Sequence, residues 1–144
     1  MATIDSDGAL RRWEASIMHV VLFDIDGTLV SKRSTEKEER ERFRLSVLDI
    51  VGKSPSIKPW HYDGMVDPEI CRRLLMDAGL NADGAASNLE KVVRRVGEIY
   101  LTLDPKPVLN EGVEKLLRIL SASSNHKLGV LTGNLGVVAE HKLR

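Results

Sequence analysis

Two aspartates, Asp24 and Asp26, directly follow an apolar run, Ile17-Met18-His19-Val20-Val21-Leu22-Phe23. The run is rich in β-favouring residues and reads as a strand buried on both faces, as in a parallel sheet. Side chains two apart on an extended chain point to the same side, so both carboxylates face one place. Gly27 then lets the backbone leave the strand sharply. Open α/β sheets take their ligands at the carboxyl ends of strands, where this pair falls. Two bare carboxylates so placed repel each other. A divalent cation relieves that repulsion, and Mg²⁺ prefers such oxygen ligands. Asp-Gly is also a common turn pair, so the strand before it carries much of the signal.

A second short strand, Lys127 to Leu131, ends in Thr132-Gly133-Asn134. A helix beginning near Leu135 follows, so the amides of Gly133 and Asn134 could hold an anion. Cys71 has no evident basic neighbour and reads as core. His19, His126 and His141 show no ligand spacing.

Between these two strands the pattern is helical. Thr35 and Glu38 have capping-box spacing, and Phe43, Val47, Leu48 and Val51 share one face behind them, with Gly52 as the stop. Asp67-Pro68-Glu69 reads as a helix start with Asp67 as N-cap. Ser87 and Glu90 suggest another capping box, before a stripe running to Leu103. A further helix starts near Asn110, with Val113, Leu116, Leu117 and Leu120 inward. The mixed charges from Lys32 to Arg44 read as a solvated helix face. Strands alternating with helices predict an α/β domain with a partial Rossmann-like parallel sheet and an inserted α-helical cap. Its divisions are a flexible leader over 1–16, a core over 17–31 and 105–144, and a cap over 32–104.

The 144 residues hold 21 basic and 21 acidic side chains, a formal charge of zero. That balance argues against a nucleic-acid or anionic-membrane partner. No apolar run approaches a membrane span. One cysteine allows no internal disulfide and no Cys-rich zinc site, and fits a reducing cytoplasm.

Phe23-Asp24-Ile25-Asp26-Gly27-Thr28-Leu29-Val30 resembles the signature motif of the haloacid dehalogenase-like (HAD) superfamily. Leu128 to Asn134 resembles its second motif. Tyr62 to Ile70 resembles the cap segment of phosphoglycolate-phosphatase-like members. The resemblance covers roughly Met18 to Arg144. It implies a HAD core and Mg²⁺-dependent hydrolysis of a small phosphate monoester, with phosphoglycolate as the leading guess. Asp24 would be the nucleophile, forming an aspartyl-phosphate, and Asp26 the acid and base. Both would hold the metal, Asp26 through its backbone carbonyl. Thr132, Gly133, Asn134 and Lys142 would bind phosphate. Gly64 and Met65 would approach substrate from the cap, with Trp60, His61 and Tyr62 as further pocket candidates.

The family's later Gly-Asp motif, whose acids complete the Mg²⁺ site, is not in this sequence. The resemblance therefore implies a C-terminally truncated copy whose first strand has an open apolar edge. A sugar-phosphate mutase of the same superfamily and a non-catalytic remnant or interaction module are the other readings.

Overall fold

The computed structural model describes the backbone of residues 2–4 and 10–12, and residues 17–56 and 62–144 in full. Trp60 and His61 lie outside the described residues. Within the stretch expected as a flexible leader, β1 (Ala2–Ile4) and β2 (Leu10–Arg12) pair antiparallel.

β3 (His19–Phe23) and β4 (His126–Val130) pair in parallel, with His19 opposite His126 and Phe23 opposite Val130. Parallel pairing needs a long crossover, and the helical block supplies it. Because the register is parallel, the residues after Phe23 and after Val130 emerge at the same end of the sheet. The Leu131 N–H extends the ladder by donating to the Phe23 carbonyl at 2.9 Å. This is how two motifs about a hundred residues apart in sequence become neighbours.

Three helices follow β3. They are α1 (Lys32–Val51), α2 (Asp67–Asp77) and α3 (Ala82–Leu103). Phe43 and Val47 of α1, Leu74 and Leu75 of α2, and Val92 and Val96 of α3 bury one apolar core. Gly52 closes α1 in the left-handed conformation, as expected. The helix starts differ from expectation. α1 begins after Ser31, so Thr35 lies within the helix, buried, instead of capping it. α3 begins at Ala82, because the Asn81 side chain accepts the Gly84 N–H and caps it before Ser87 is reached.

The insert enters and leaves the core side by side. Val30 bridges Leu109, Ser31 N–H donates to the Val108 carbonyl, and Asn110 N–H to the Leu29 carbonyl. α4 (Val113–Ser121) packs on β4, and α5 (Gly136–Lys142) packs against α3. Ile25, Leu29, Val30 and Val113 make a second, smaller core beneath the acid-bearing turn. These parts show the expected fold class: an α/β core with a parallel sheet and an inserted helical block.

The first strand is not buried on both faces. Val20 and Leu22 are 67% and 55% exposed. Among the described residues the sheet has only two strands, and the face carrying these two side chains lacks a packed layer. Exposed, contiguous apolar strand surface favours association. The 144-residue chain is therefore expected to associate as its concentration rises, and Val20→Lys with Leu22→Lys to suppress this. Size-exclusion chromatography with light scattering would show it; a wild-type chain monomeric at every concentration would contradict it.

Candidate active site

A cavity of about 560 Å³ lies between the C-terminal ends of β3 and β4 and the helices of the insert. Asp24, Asp26, Thr132, Gly133 and Asn134 line it from the core side. Gly64, Met65 and Tyr62 line it from the insert. Lys142 does not line it.

Asp24 is exposed, and no described residue makes a hydrogen bond or ion pair with its carboxylate. A carboxylate left free at the mouth of a cavity is available as a nucleophile or as a cation ligand. The turn after it depends on Gly27, whose φ is +84° and whose N–H donates to the Val30 carbonyl at 2.7 Å. A side chain there would carry the strain of a left-handed conformation and would meet the Lys32 side chain.

Asp26 is in a different state. Its Oδ1 accepts from Lys142 Nζ at 2.7 Å and its Oδ2 from Asn134 Nδ2 at 2.5 Å. Both carboxylate oxygens are thus engaged, while the metal contact expected of Asp26 is through its backbone carbonyl. Asp26 and Asn134 both line the cavity, whereas Lys142 does not. Among the described residues, no group of three or more His, Cys, Asp or Glu side chains is arranged to hold a metal ion. Of the acid pair, Asp24 offers free carboxylate oxygens, which are only part of the near-octahedral shell that Mg²⁺ requires.

Thr132 Oγ1 accepts from the Asn134 N–H at 3.2 Å and from Asn134 Nδ2 at 2.9 Å. With both acceptor positions used, its own hydroxyl proton is left to donate outward. Asn134, expected to offer phosphate its amide, instead has its N–H on Thr132 and its side chain on Asp26. Lys142, expected on phosphate, is buried beneath Asp26. Its Nζ also contacts Asn134 Oδ1 at 3.0 Å and lies 2.5 Å from Glu39 Oε1. The Glu39 contact is an ion pair between two largely buried side chains.

Three residues at this site were not anticipated in those roles. Arg42 of α1, 2% exposed, forks onto the Asp67 carboxylate, Nη1 to Oδ2 at 2.8 Å and Nη2 to Oδ1 at 3.0 Å. Its Nε donates to Glu39 Oε2 at 2.7 Å. Burial works to lower the Arg42 pKa, but Glu39 and Asp67 overcome it and the net shift is upward. The guanidinium also lies 4.2 Å from the Phe43 ring centre. The stretch read as a solvated face therefore turns a buried ion pair inward. The spacing that betrays it is Thr35, Glu39, Arg42 and Ser46, three or four apart, alongside Phe43 and Val47.

Asp67 does not cap its own helix. α2 is preceded by Val66 and has no side-chain cap. The Asp67 carboxylate accepts the Leu135 N–H at 2.8 Å, and the Asp67 N–H donates to the Gly133 carbonyl at 2.8 Å. The insert backbone lies so close to this loop that a Cβ on Gly133 would stand 2.9 Å from the Met65 carbonyl oxygen. Cys71 is core, as expected; burial, then Asp67, push its thiol up to about 12, which disqualifies it as a nucleophile at neutral pH.

An α/β core carrying an acid pair at its strand ends, faced by a helical insert, is a fold found among solved structures. Phosphate-bound CbbY from Rhodobacter sphaeroides superposes with a TM-score of 0.67 at 22% identity, over 89% of this chain and 56% of that one. A hydrolase from Pseudomonas syringae gives 0.58 at 19% identity, over 87% and 53%. These likenesses show the fold. The chain spans about half the length of either structure. No family model and no curated protein matches the sequence. No helix among the described residues is long and apolar enough to cross a membrane.

Removing one partner of a buried ion pair leaves the other charged, buried and unpaired. Arg42→Met is therefore expected to lower stability by about 3–5 kcal/mol, read as a lower urea midpoint. A midpoint equal to wild type would show that the pair contributes nothing. Cys71 should resist alkylation in the native protein and react only after unfolding.

Proposed function

We propose that this chain belongs to a phosphatase-type hydrolase that cleaves a small phosphate monoester through an aspartyl-phosphate on Asp24. The observation that supports this most is the contrast within the acid pair. Asp24 is free at the cavity, while Asp26, two residues on, is held by both oxygens. One acid is left to attack and the other is fixed to move a proton, which is the division of labour a two-step phosphoryl transfer needs. The fold shared with a phosphate-bound structure and with a hydrolase supports the same reading.

In this reading an Asp24 oxygen attacks phosphorus, and the bond from phosphorus to the ester oxygen breaks. Asp26 enters this step protonated, and the departing oxygen takes that proton and leaves Asp26 as the carboxylate. Water then attacks the phosphorus of the aspartyl-phosphate and gives its proton to Asp26, releasing inorganic phosphate and restoring the Asp24 carboxylate. The Thr132 hydroxyl donates to a phosphate oxygen, oriented by the two Asn134 donors behind it. Gly64 and Met65 shape the far wall and with it the choice of substrate. Lys142 acts from beneath, fixing Asp26 and offsetting its charge. Mg²⁺ would be held by Asp24 and the Asp26 carbonyl, and would neutralise charge between nucleophile and phosphate; the donors present account for part of its shell. Phosphoglycolate is the first substrate to test.

Phosphate release by the full-length protein should require Mg²⁺, cease with EDTA, and fall on the order of 10⁴-fold or more in Asp24→Asn. Undiminished turnover in that variant would overturn the nucleophile assignment. A second reading, a non-catalytic interaction module, is favoured by the bare Val20 and Leu22 face and by the absence of a three-acid group among the described residues. It predicts no turnover of any phosphate ester by wild type.

A further inference from the structure

Resting on the phosphatase reading, we propose that Asp67 of the insert is a positioning residue for Asp26, acting through Arg42 and Asn134. Four observations join end to end. The Asp67 carboxylate holds Arg42 by two hydrogen bonds, 2.8 and 3.0 Å. Arg42 Nη2 reaches Asn134 Oδ1 at 3.5 Å. Lys142 Nζ contacts that same oxygen at 3.0 Å. Two cationic donors on one amide oxygen fix which way the Asn134 amide faces, because its nitrogen would be repelled there. So oriented, Asn134 Nδ2 donates to Asp26 Oδ2 at 2.5 Å and to Thr132 Oγ1 at 2.9 Å.

Asp67 also fixes the loop that bears Asn134. Its carboxylate accepts the Leu135 N–H, and its own N–H donates to the Gly133 carbonyl, both at 2.8 Å. The residues on either side of Asn134 are thus tied to one insert residue. Glu39 closes a ring, touching Arg42 on one side and Lys142 on the other. Withdrawal of the insert would remove Arg42 from Asn134 and leave the amide oxygen to Lys142 alone. The proton-transferring acid therefore keeps its full set of restraints while Asp67 is seated on the Gly133–Leu135 loop.

Asp67→Asn keeps an oxygen for the Leu135 N–H and nearly the same volume, but loses the charge that holds Arg42. The test compares two substrates in the first turnover. An alkyl phosphate has a poor leaving group that needs the proton of Asp26. p-Nitrophenyl phosphate has a good leaving group that hardly needs it. In Asp67→Asn, first-turnover release of the alcohol should fall about tenfold or more, whereas release of p-nitrophenol should change by less than about threefold. Asp67→Glu, which restores the charge, should recover part of the alkyl rate.

Equal losses on both substrates, or none on either, would overturn the inference. A thermal melt of each variant separates these outcomes from partial unfolding, which would lower both rates together with the melting temperature. If Asp67→Asn is too unstable, Arg42→Lys must show the same substrate split. Wild type inactive on both esters would instead overturn the phosphatase reading on which the inference rests.

Discussion

The arrangement turns on one buried ion pair. Arg42 and Asp67 come from two helices of the insert, and their contact is closed to water. Such a pair gains little net stability from its charges alone, because both were removed from solvent to make it. Its value lies in geometry. The forked guanidinium and the carboxylate fix each other's direction, and each has a spare bond to give. Asp67 spends its bond on the Leu135 N–H and Arg42 on Asn134. The insert is thereby joined to the loop that carries Thr132, and the same contact reaches Asp26.

Beneath this lies a second tier. Lys142 is buried against Asp26, Glu39 and Asn134, with the Tyr100 ring 5.6 Å away. Burial, then Glu39, hold the Tyr100 hydroxyl above its ordinary pKa, so it stays neutral. Charges of opposite sign alternate around Asp26, and every group is restrained by at least two others. Asp24, facing the cavity, stands apart from this ring. One acid is immobilised and its neighbour is left unengaged, in the same turn and under the same Gly27.

The sequence made legible whatever depends on local pattern. The acid pair after β3 and the Thr-Gly-Asn turn after β4 were found because each follows a short apolar strand, and parallel pairing then brings them together. Gly52 could be seen as a helix stop because its role is settled within one turn. What stayed hidden depends on contacts between distant segments. Asp67 looked like an N-cap because Asp-Pro-Glu is sufficient for one; its true acceptor role involves Leu135, sixty-eight residues away. Arg42 looked solvated because its neighbours Arg40 and Glu41 carry charge. Burial of Val20 and Leu22 was overestimated for a similar reason, since an apolar strand announces what it would bury and not what is present to cover it.

The central claim is that Asp24 becomes covalently phosphorylated. The most direct test is acid quench of the full-length protein during turnover of a phosphate ester, followed by peptide mass spectrometry. The account predicts one added phosphoryl group on the peptide containing Asp24, labile to hydroxylamine. Turnover with the group on another residue, or with no covalent adduct under trapping conditions, would contradict it.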